Sequence, residues 1–209
     1  MEDSFKFAKI SELCGGKSAA VFGAGASGKA AKALLEKAGI KAVVYDKNGD
    51  ESCKKIFDEN SAKKHRLAVY SPAFRPDHEW VRLAEKAGAR AICEPDLSAL
   101  AWRGKIYAVT GTNGKTTLTS FLERALNTAG IKAISAGNIG KPLSAFCAEM
   151  DDTSTTAAVC ELSSFQTSRL EFLRPDALLW TNFAPDHLDW HTDMREYFSA
   201  KFNLVKNLK

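Results

Sequence analysis

The stretch KIYAVTGTNGKTTLTSFLERALNTAG, Lys105–Gly130, decides how the rest of the chain is read. It opens on an apolar run, turns through two glycines, presents Lys-Thr-Thr, and continues with helical apolar spacing to Gly130. Strand, glycine turn and helix in that order is the layout of a phosphate-binding loop. The usual G-x-x-x-x-G-K-[ST] pattern is nevertheless broken. Val109 stands at the first glycine position, and the nearest glycine, Gly111, comes two residues later. The parts that carry chemistry are intact. Gly111 and Gly114 let backbone N–H groups curl around phosphates, Lys115 can reach β- and γ-phosphate oxygens, and Thr116 offers a hydroxyl where Mg²⁺ is commonly held. Thr112, Asn113 and Thr117 complete the candidate ATP loop. A ligand-free glycine turn would leave Gly-Lys-Thr-Thr unexplained.

Outward from this loop, apolar runs alternate with helix-period stretches in both directions. Downstream, KAISAG, TAAVCELSSFQ and PDALLWTNF supply strand patterns, and MREYFSAKFNLVKNL a final helix. Upstream, SAAVFGAG (Ser18–Gly25) is a short buried-strand pattern, followed by the helix pattern SGKAAKALLEKAG. KAVVYD (Lys41–Asp46), RLAVYSP (Arg66–Pro72) and ARAICEP continue the series, with a helix opened by Asp77 between the last two. Such alternation predicts βαβ units and parallel sheets, an α/β fold. The restart of strand, glycine turn and helix near Ala101–Gly104 predicts two units, a Rossmann-like domain over 1–102 and a P-loop domain beginning at 103. The helical pattern runs on to Lys209 with no stop signal, as expected of a truncated chain.

The first unit has its own glycine turn. Gly23-Ala24-Gly25-Ala26-Ser27-Gly28 matches G-x-G-x-x-G between a strand and a helix, where a pyrophosphate can approach a helix N-terminus. Asp46 stands 18 residues past Gly28, at the end of the second strand, where a carboxylate for a ribose or base is expected. Gly23, Gly25, Ala26, Ser27, Gly28 and Asp46 are therefore candidates for a nucleotide diphosphate. On these residues alone an NAD(P)-binding module, another nucleotide site and a plain tight turn all stay open.

Bulk properties exclude little else. The 209 residues carry 29 basic and 25 acidic side chains, a net charge of +4 dispersed along the chain. That is too mild to argue for nucleic acid and suits a polyanionic small substrate equally well. Five cysteines without C-x-x-C spacing read as reduced core or surface thiols, not as a disulfide framework or a zinc site. The start MEDSFKFAKISELCGG shows no apolar signal region, and no run approaches the ~18 apolar residues of a membrane span. The expectation is a soluble cytoplasmic protein.

Thr110–Thr117, TGTNGKTT, resembles the ATP loop of the Mur ligases, the amide ligases that build the peptidoglycan stem peptide. That family carries the loop without the earlier glycine, so Val109 marks a different loop, not a decayed one. Folylpolyglutamate synthases share the Gly-Thr-Asn-Gly-Lys core but usually continue with Gly-Ser, so Thr116-Thr117 favours the Mur branch. GNIGKPL (Gly137–Leu143), ELSSFQ (Glu161–Gln166), NFAPDHLDWH (Asn182–His191) and SPAF (Ser71–Phe74) are similar, in order, to segments of its D-glutamate-adding branch. Ala73 replaces the usual glycine of a Ser-Pro-Gly loop, and Trp190 an arginine after Asp-His-Leu-Asp.

The resemblance implies a reaction in which ATP phosphorylates the L-alanine carboxylate of UDP-N-acetylmuramoyl-L-alanine and the D-glutamate amine attacks the acyl phosphate. By the same resemblance Lys115, Glu161, His187 and Lys201 are the catalytic candidates. Two Mg²⁺ ions would be held by Thr116, Glu161, His187 and Lys201, the lysine carbamylated by CO₂. From sequence alone Lys201 is one lysine of a basic helix, and Glu161 could be an exposed strand-end acid. Ser71, Asn138, Ser163 and Gln166 are carried over as substrate contacts, though Ser and Asn suit caps and turns as well. His65, His78 and His191 read as solvated. The further expectations are a monomer, a D-glutamate-binding domain beyond the chain, and no ligation by this chain alone. The rivals are an NAD(P)-binding module, which leaves Gly111–Thr117 and Glu161 unexplained, a non-catalytic nucleotide-binding regulator, and a Mur ligase adding another amino acid.

Overall fold

A computed structural model describes residues 7–209; Met1–Lys6, part of the charged leading stretch, lie outside the described residues. Among the described residues, eight strands form two parallel four-stranded sheets. In the first, β1 (Ser18–Phe22), β2 (Ala42–Tyr45), β3 (His65–Tyr70) and β4 (Arg90–Cys93) run in the order β2-β1-β3-β4. In the second, β5 (Ile106–Thr110), β6 (Ala133–Gly137), β7 (Ala157–Glu161) and β8 (Ala177–Trp180) run in the order β6-β7-β5-β8. The molecule is thus an α/β protein. Its strands are short apolar runs because parallel strands bury both faces, as all five residues of β7 do.

The long helices lie where the apolar period places them. They are α2 (Ala26–Lys37), α4 (Glu79–Lys86), α6 (Lys115–Thr128) and α9 (Met194–Lys206). Ala30, Ala31, Leu34 and Leu35 of α2 are buried at the spacing of one helix face. The helix expected to open at Asp77 starts two residues later. His78 is its cap, with Nδ1 accepting the Trp80 amide at 3.1 Å. The last helix does not run to the chain end either: α9 stops at Lys206 with Asn207 as its C-cap, and the Lys209 amide donates to the Pro175 carbonyl. Five short helices among the described residues carry no sequence signal strong enough to expect. These are α1 (Ala8–Cys14), α3 (Glu59–Ala62), α5 (Glu94–Ala99), α7 (Leu143–Glu149) and α8 (Ser164–Thr167), all too short for a helical period to show.

One apolar core joins the two sheets. Val21, Leu34 and Leu97 from the first half pack in a single cluster with Ala108, Leu143, Cys160 and Leu162 from the second. Two buried acids tie the same seam. Glu94 Oε1 accepts the Ser144 amide at 3.1 Å and its hydroxyl at 2.5 Å. Asp96 accepts the amides of Glu171, Phe172 and Leu173 at 2.9, 2.9 and 2.8 Å. Burial raises the affinity of both carboxyls for a proton, Asp96 to a pKa of about 6.

The other face of the first sheet carries an aromatic cluster of Phe22, Tyr45, Phe57 and Trp80. His65, expected in solvent, is buried inside it. Its Nε2 meets the Tyr45 hydroxyl at 2.9 Å and its Nδ1 the Ser18 hydroxyl at 2.9 Å. Burial holds its pKa below the ordinary histidine value. All five cysteines are buried thiols outside any disulfide. Among the described residues, no helix is long and apolar enough to cross a membrane.

Candidate active site

The second glycine turn sits between β5 and α6, at the C-terminal edge of the second sheet, where open α/β sheets bind ligands. Its shape depends on Gly111. That residue has φ 136°, and a Cβ there would lie 2.0 Å from Thr181 Oγ1 and 3.0 Å from the Asn182 carbonyl. The turn is laced to the segment after β8. The Thr112 amide donates to the Asn182 carbonyl, the Asn113 amide to Asn182 Oδ1 at 2.9 Å, and Thr181 Oγ1 to the Asn113 carbonyl at 2.7 Å. The amides of Thr112 and Asn113 are therefore occupied within the fold. The donors left for phosphate come instead from the first turn of α6, which Gly114 opens with no side-chain cap. There the amides of Lys115, Thr116 and Thr117 have no intrahelical acceptor, and the helix dipole favours an anion. Lys115 Nζ rests on the Thr112 carbonyl at 2.7 Å.

Register brings an acid to this edge. Glu161, the last residue of β7, pairs with Val109 of β5 on one side and Gly137 of β6 on the other. It is buried, not a strand-end acid in solvent. Its two oxygens have separate partners: the Thr116 hydroxyl donates to Oε2 at 2.7 Å and the Asn138 side-chain amide to Oε1 at 3.0 Å. The Asn138 backbone amide also donates to the Glu161 carbonyl at 2.8 Å. Hydroxyl and carboxylate oxygens at this separation fit adjacent positions on a Mg²⁺ ion, whose ~2.0–2.1 Å bonds give an octahedral edge of roughly 2.9 Å. Among the described residues no three His, Cys, Asp or Glu side chains converge on a metal position.

Lys201 is no surface lysine of a basic helix. It is 1 % exposed, donates to the Gly111 carbonyl at 2.7 Å, and lies 4.7 Å from the Tyr197 ring centroid. Burial, helped by the nearby Lys115 charge, lowers its pKa to about 8. Tyr197, one helical turn earlier, is the hub that motif reading missed. Fully buried, its hydroxyl meets Thr112 Oγ1 at 3.1 Å, and its ring lies 6.0 Å from that of His187. Its i, i+4 spacing to Lys201 was the available signal. His187 is half-buried after β8, at φ 54°, with its ring 4.8 Å from Phe165.

Ser163 and Gln166, carried over as substrate contacts, spend their polar groups on each other. They form the capping box of α8, with Gln166 Oε1 accepting the Ser163 amide at 3.0 Å, and Gln166 is 2 % exposed. His191, expected in solvent, is buried, and its Nε2 meets Ser164 Oγ at 2.9 Å.

The first glycine turn lies at the C-terminal end of β1 and leads into α2, again without a side-chain cap. Gly28 presses on the turn itself, since a Cβ there would fall 1.8 Å from the Gly23 carbonyl oxygen. Ser71 is buried beside Gly23. Gly25 and Ala26 are exposed, while Ser27 is half-buried. Asp46 braces the turn: Oδ2 accepts the Ala24 amide at 2.7 Å and Oδ1 the Asn48 amide at 2.8 Å. Those amides hold its carboxyl below the ordinary range. A large depression of about 860 Å³ lies elsewhere, on the outer face of α6 by Phe121 and Arg124, and none of the candidate residues lines it.

Comparison with known proteins bears on the fold and the family. The Mur ligase middle domain matches residues 109–209, from the candidate ATP loop through Lys201. The fold is shared with solved Mur ligases. It superposes on UDP-N-acetylmuramate:L-alanyl-gamma-D-glutamyl-meso-diaminopimelate ligase of Neisseria meningitides with a TM-score of 0.60 at 17% identity, over 92% of this chain and 68% of that one. For the UDP-N-acetylmuramate-alanine ligase of Thermotoga maritima the TM-score is 0.55 at 19% identity, over 92% and 47%. The chain belongs to the Mur ligase family.

Within that family it is similar to curated UDP-N-acetylmuramoylalanine--D-glutamate ligases. The protein of that name from Fusobacterium nucleatum is 36% identical over 91% of this chain and 44% of its own length. The one from Leuconostoc mesenteroides is 35% identical over 91% and 45%. The chain spans about half the length of the curated relatives it matches.

Proposed function

We propose that the chain is the nucleotide-handling part of an ATP-dependent amide ligase of peptidoglycan synthesis, whose full-length form adds D-glutamate to UDP-N-acetylmuramoyl-L-alanine. The observation that carries this reading is the arrangement around Glu161. A carboxylate fixed from both sides by Thr116 and Asn138 stands beside the uncapped start of α6, with Lys115 on the same turn. A dinucleotide-binding module has no use for that arrangement.

Activating a carboxylate by phosphorylation requires the γ-phosphoryl group to be held while charge builds on its oxygens. The free amides of Lys115, Thr116 and Thr117 bind and orient the phosphates, and the Lys115 ammonium swings from the Thr112 carbonyl to the transferring group. Bound Mg²⁺ would neutralise phosphate charge, held by Thr116 and Glu161, with His187 beside a second ion. The substrate carboxylate attacks the γ-phosphorus, ADP leaves, and the D-glutamate amine then displaces phosphate from the acyl phosphate.

Lys201 fits the carbamate expected of the family. Its ammonium donates to the Gly111 carbonyl, and burial outweighs the opposing pull of the Asp186 carboxylate, so the lowered pKa leaves a substantial neutral fraction near pH 8. The neutral amine adds to the carbon of CO₂ and releases one proton, giving an anion that braces the metal-bearing side chains. The first glycine turn, with Asp46 and Ser71, takes the uridine diphosphate. Asp46 does so as the brace of the turn, because its oxygens already hold two amides.

Titration calorimetry of the chain with UDP-N-acetylmuramoyl-L-alanine, UDP-N-acetylglucosamine and NAD⁺ tests the reading. Saturable binding of the muramoyl nucleotide is expected. Binding of NAD⁺ alone would overturn it.

A further inference from the structure

The turn that carries His187 is held from the other half of the chain. Arg75, in the loop after β3, lies with its guanidinium carbon 4.9 Å from the Trp190 ring centroid and donates from Nη1 to the Trp190 carbonyl. Its Nη2 stands 3.7 Å from Glu196 Oε1 across a cleft of about 270 Å³. Glu196 is itself fixed, with Oε2 accepting the Thr192 amide and hydroxyl at 2.6 and 2.7 Å.

The amides of Trp190 and His191 both donate to the His187 carbonyl, at 3.1 and 2.9 Å. They close a tight turn in which His187 is the one described non-glycine residue with positive φ, 54°. A side chain in that region is disfavoured and persists only where its surroundings over-determine it. The surroundings here are named groups. Trp190 is gripped on its face and its carbonyl by Arg75, and its ring lies 4.8 Å from that of Phe165, which also meets His187. Position 190 is where this sequence departs from the arginine of the similar segment, and Arg75 supplies a guanidinium to that position from the other half of the molecule.

We propose that Arg75 is a positioning residue: by clamping Trp190 across the cleft it fixes the turn that presents His187 to the ligation site. The proposal rests on the ligase reading for what His187 does, but not for the clamp itself. Arg75 follows Ser71 by four residues, so the loop that lines the first glycine turn also sets the histidine of the second site. A guanidinium that stacks on a ring while donating to the same residue's carbonyl is not replaced by an ammonium, so Arg75→Lys should behave like Arg75→Ala and not like the parent.

The test is NMR of the whole 209-residue chain with ¹³C-labelled histidine. Its four histidines are resolvable, and His187 is assigned from a His187→Gln variant. The ring signals are followed with and without Mn²⁺ and ATP. Arg75→Ala and Arg75→Lys should shift or split the His187 signal and weaken its broadening by Mn²⁺–ATP several-fold. His65 in the first-half core should stay in place, and Trp190→Phe, which keeps a ring for the stack, should preserve most of the parent behaviour. An unmoved His187 signal in Arg75→Ala would overturn the clamp. If that variant unfolds, as loss of the His65 signal would reveal, an unmoved His187 in Arg75→Lys overturns it equally. Should the parent show no Mn²⁺–ATP effect on His187 while the Arg75 variants still move it, the clamp stands and the metal role of His187 falls.

Discussion

Lys201 shows how burial makes a residue what its sequence neighbourhood cannot. In the helix pattern it is one cation among several, yet it is enclosed against the Gly111 carbonyl and the Tyr197 ring, where burial outweighs the attraction of Asp186. The pattern hid this because helical period alone does not say which polar residue falls on the inner face. An ammonium this deeply buried is poised to lose its proton or to be modified. In ¹³C NMR with labelled bicarbonate near pH 8, the chain should therefore show a carbamate resonance, absent from Lys201→Arg, whose side chain stays protonated. Equal signals from both proteins would assign the label to some other amine. Glu161 teaches the complementary lesson. Its place at a strand end was legible, but its burial, and its sharing between Thr116 and Asn138, came from strand register, which local sequence does not encode.

At the scale of elements, strands and long helices were readable because apolar runs and helical period are strong over five to fourteen residues. The short helices were not, being stabilised by packing and not by their own pattern. The glycine turn is an intermediate case. Its place between strand and helix was legible, but the use of its own amides was not, since Asn182 and Thr181 come from some seventy residues away. Gly111 is where these elements meet most closely. Gly111→Ala would combine a disfavoured φ with a contact no Cβ can make against Thr181 Oγ1 and the Asn182 backbone. The expected loss is about 2–4 kcal/mol of stability, measured by urea unfolding, together with loss of ATP binding. A variant unfolding within ~0.5 kcal/mol of the parent would mean the turn is looser than described.

For the whole molecule, the decisive acids lie in the seam between the sheets. Asp96 has a folded pKa of about 6 against an ordinary 3.8, because burial outweighs the amides it accepts. Between those values the folded state holds more protons than the unfolded one. The Asp96 contribution to stability is therefore fully present below about pH 4 and is lost as pH rises to about 6, by roughly 2–3 kcal/mol. Comparing urea midpoints of the parent and Asp96→Asn from pH 4 to 7 isolates this slope from the opposite one set by Asp46 and Glu196, whose pKa values are lowered. The variant should be less stable throughout and lack the decline. Parallel curves would place the proton elsewhere.

The shared core has one more consequence. The glycine turns repeat as though two modules were joined near residue 102, yet Leu97 and Leu143 lie in one apolar cluster and Glu94 finds its partner at Ser144. A recombination event that exchanged either half for a distant cousin's would strand carboxylates and leucines facing surfaces never shaped for them. The halves must therefore be inherited together, and the seam, more than either loop, limits what can be shuffled.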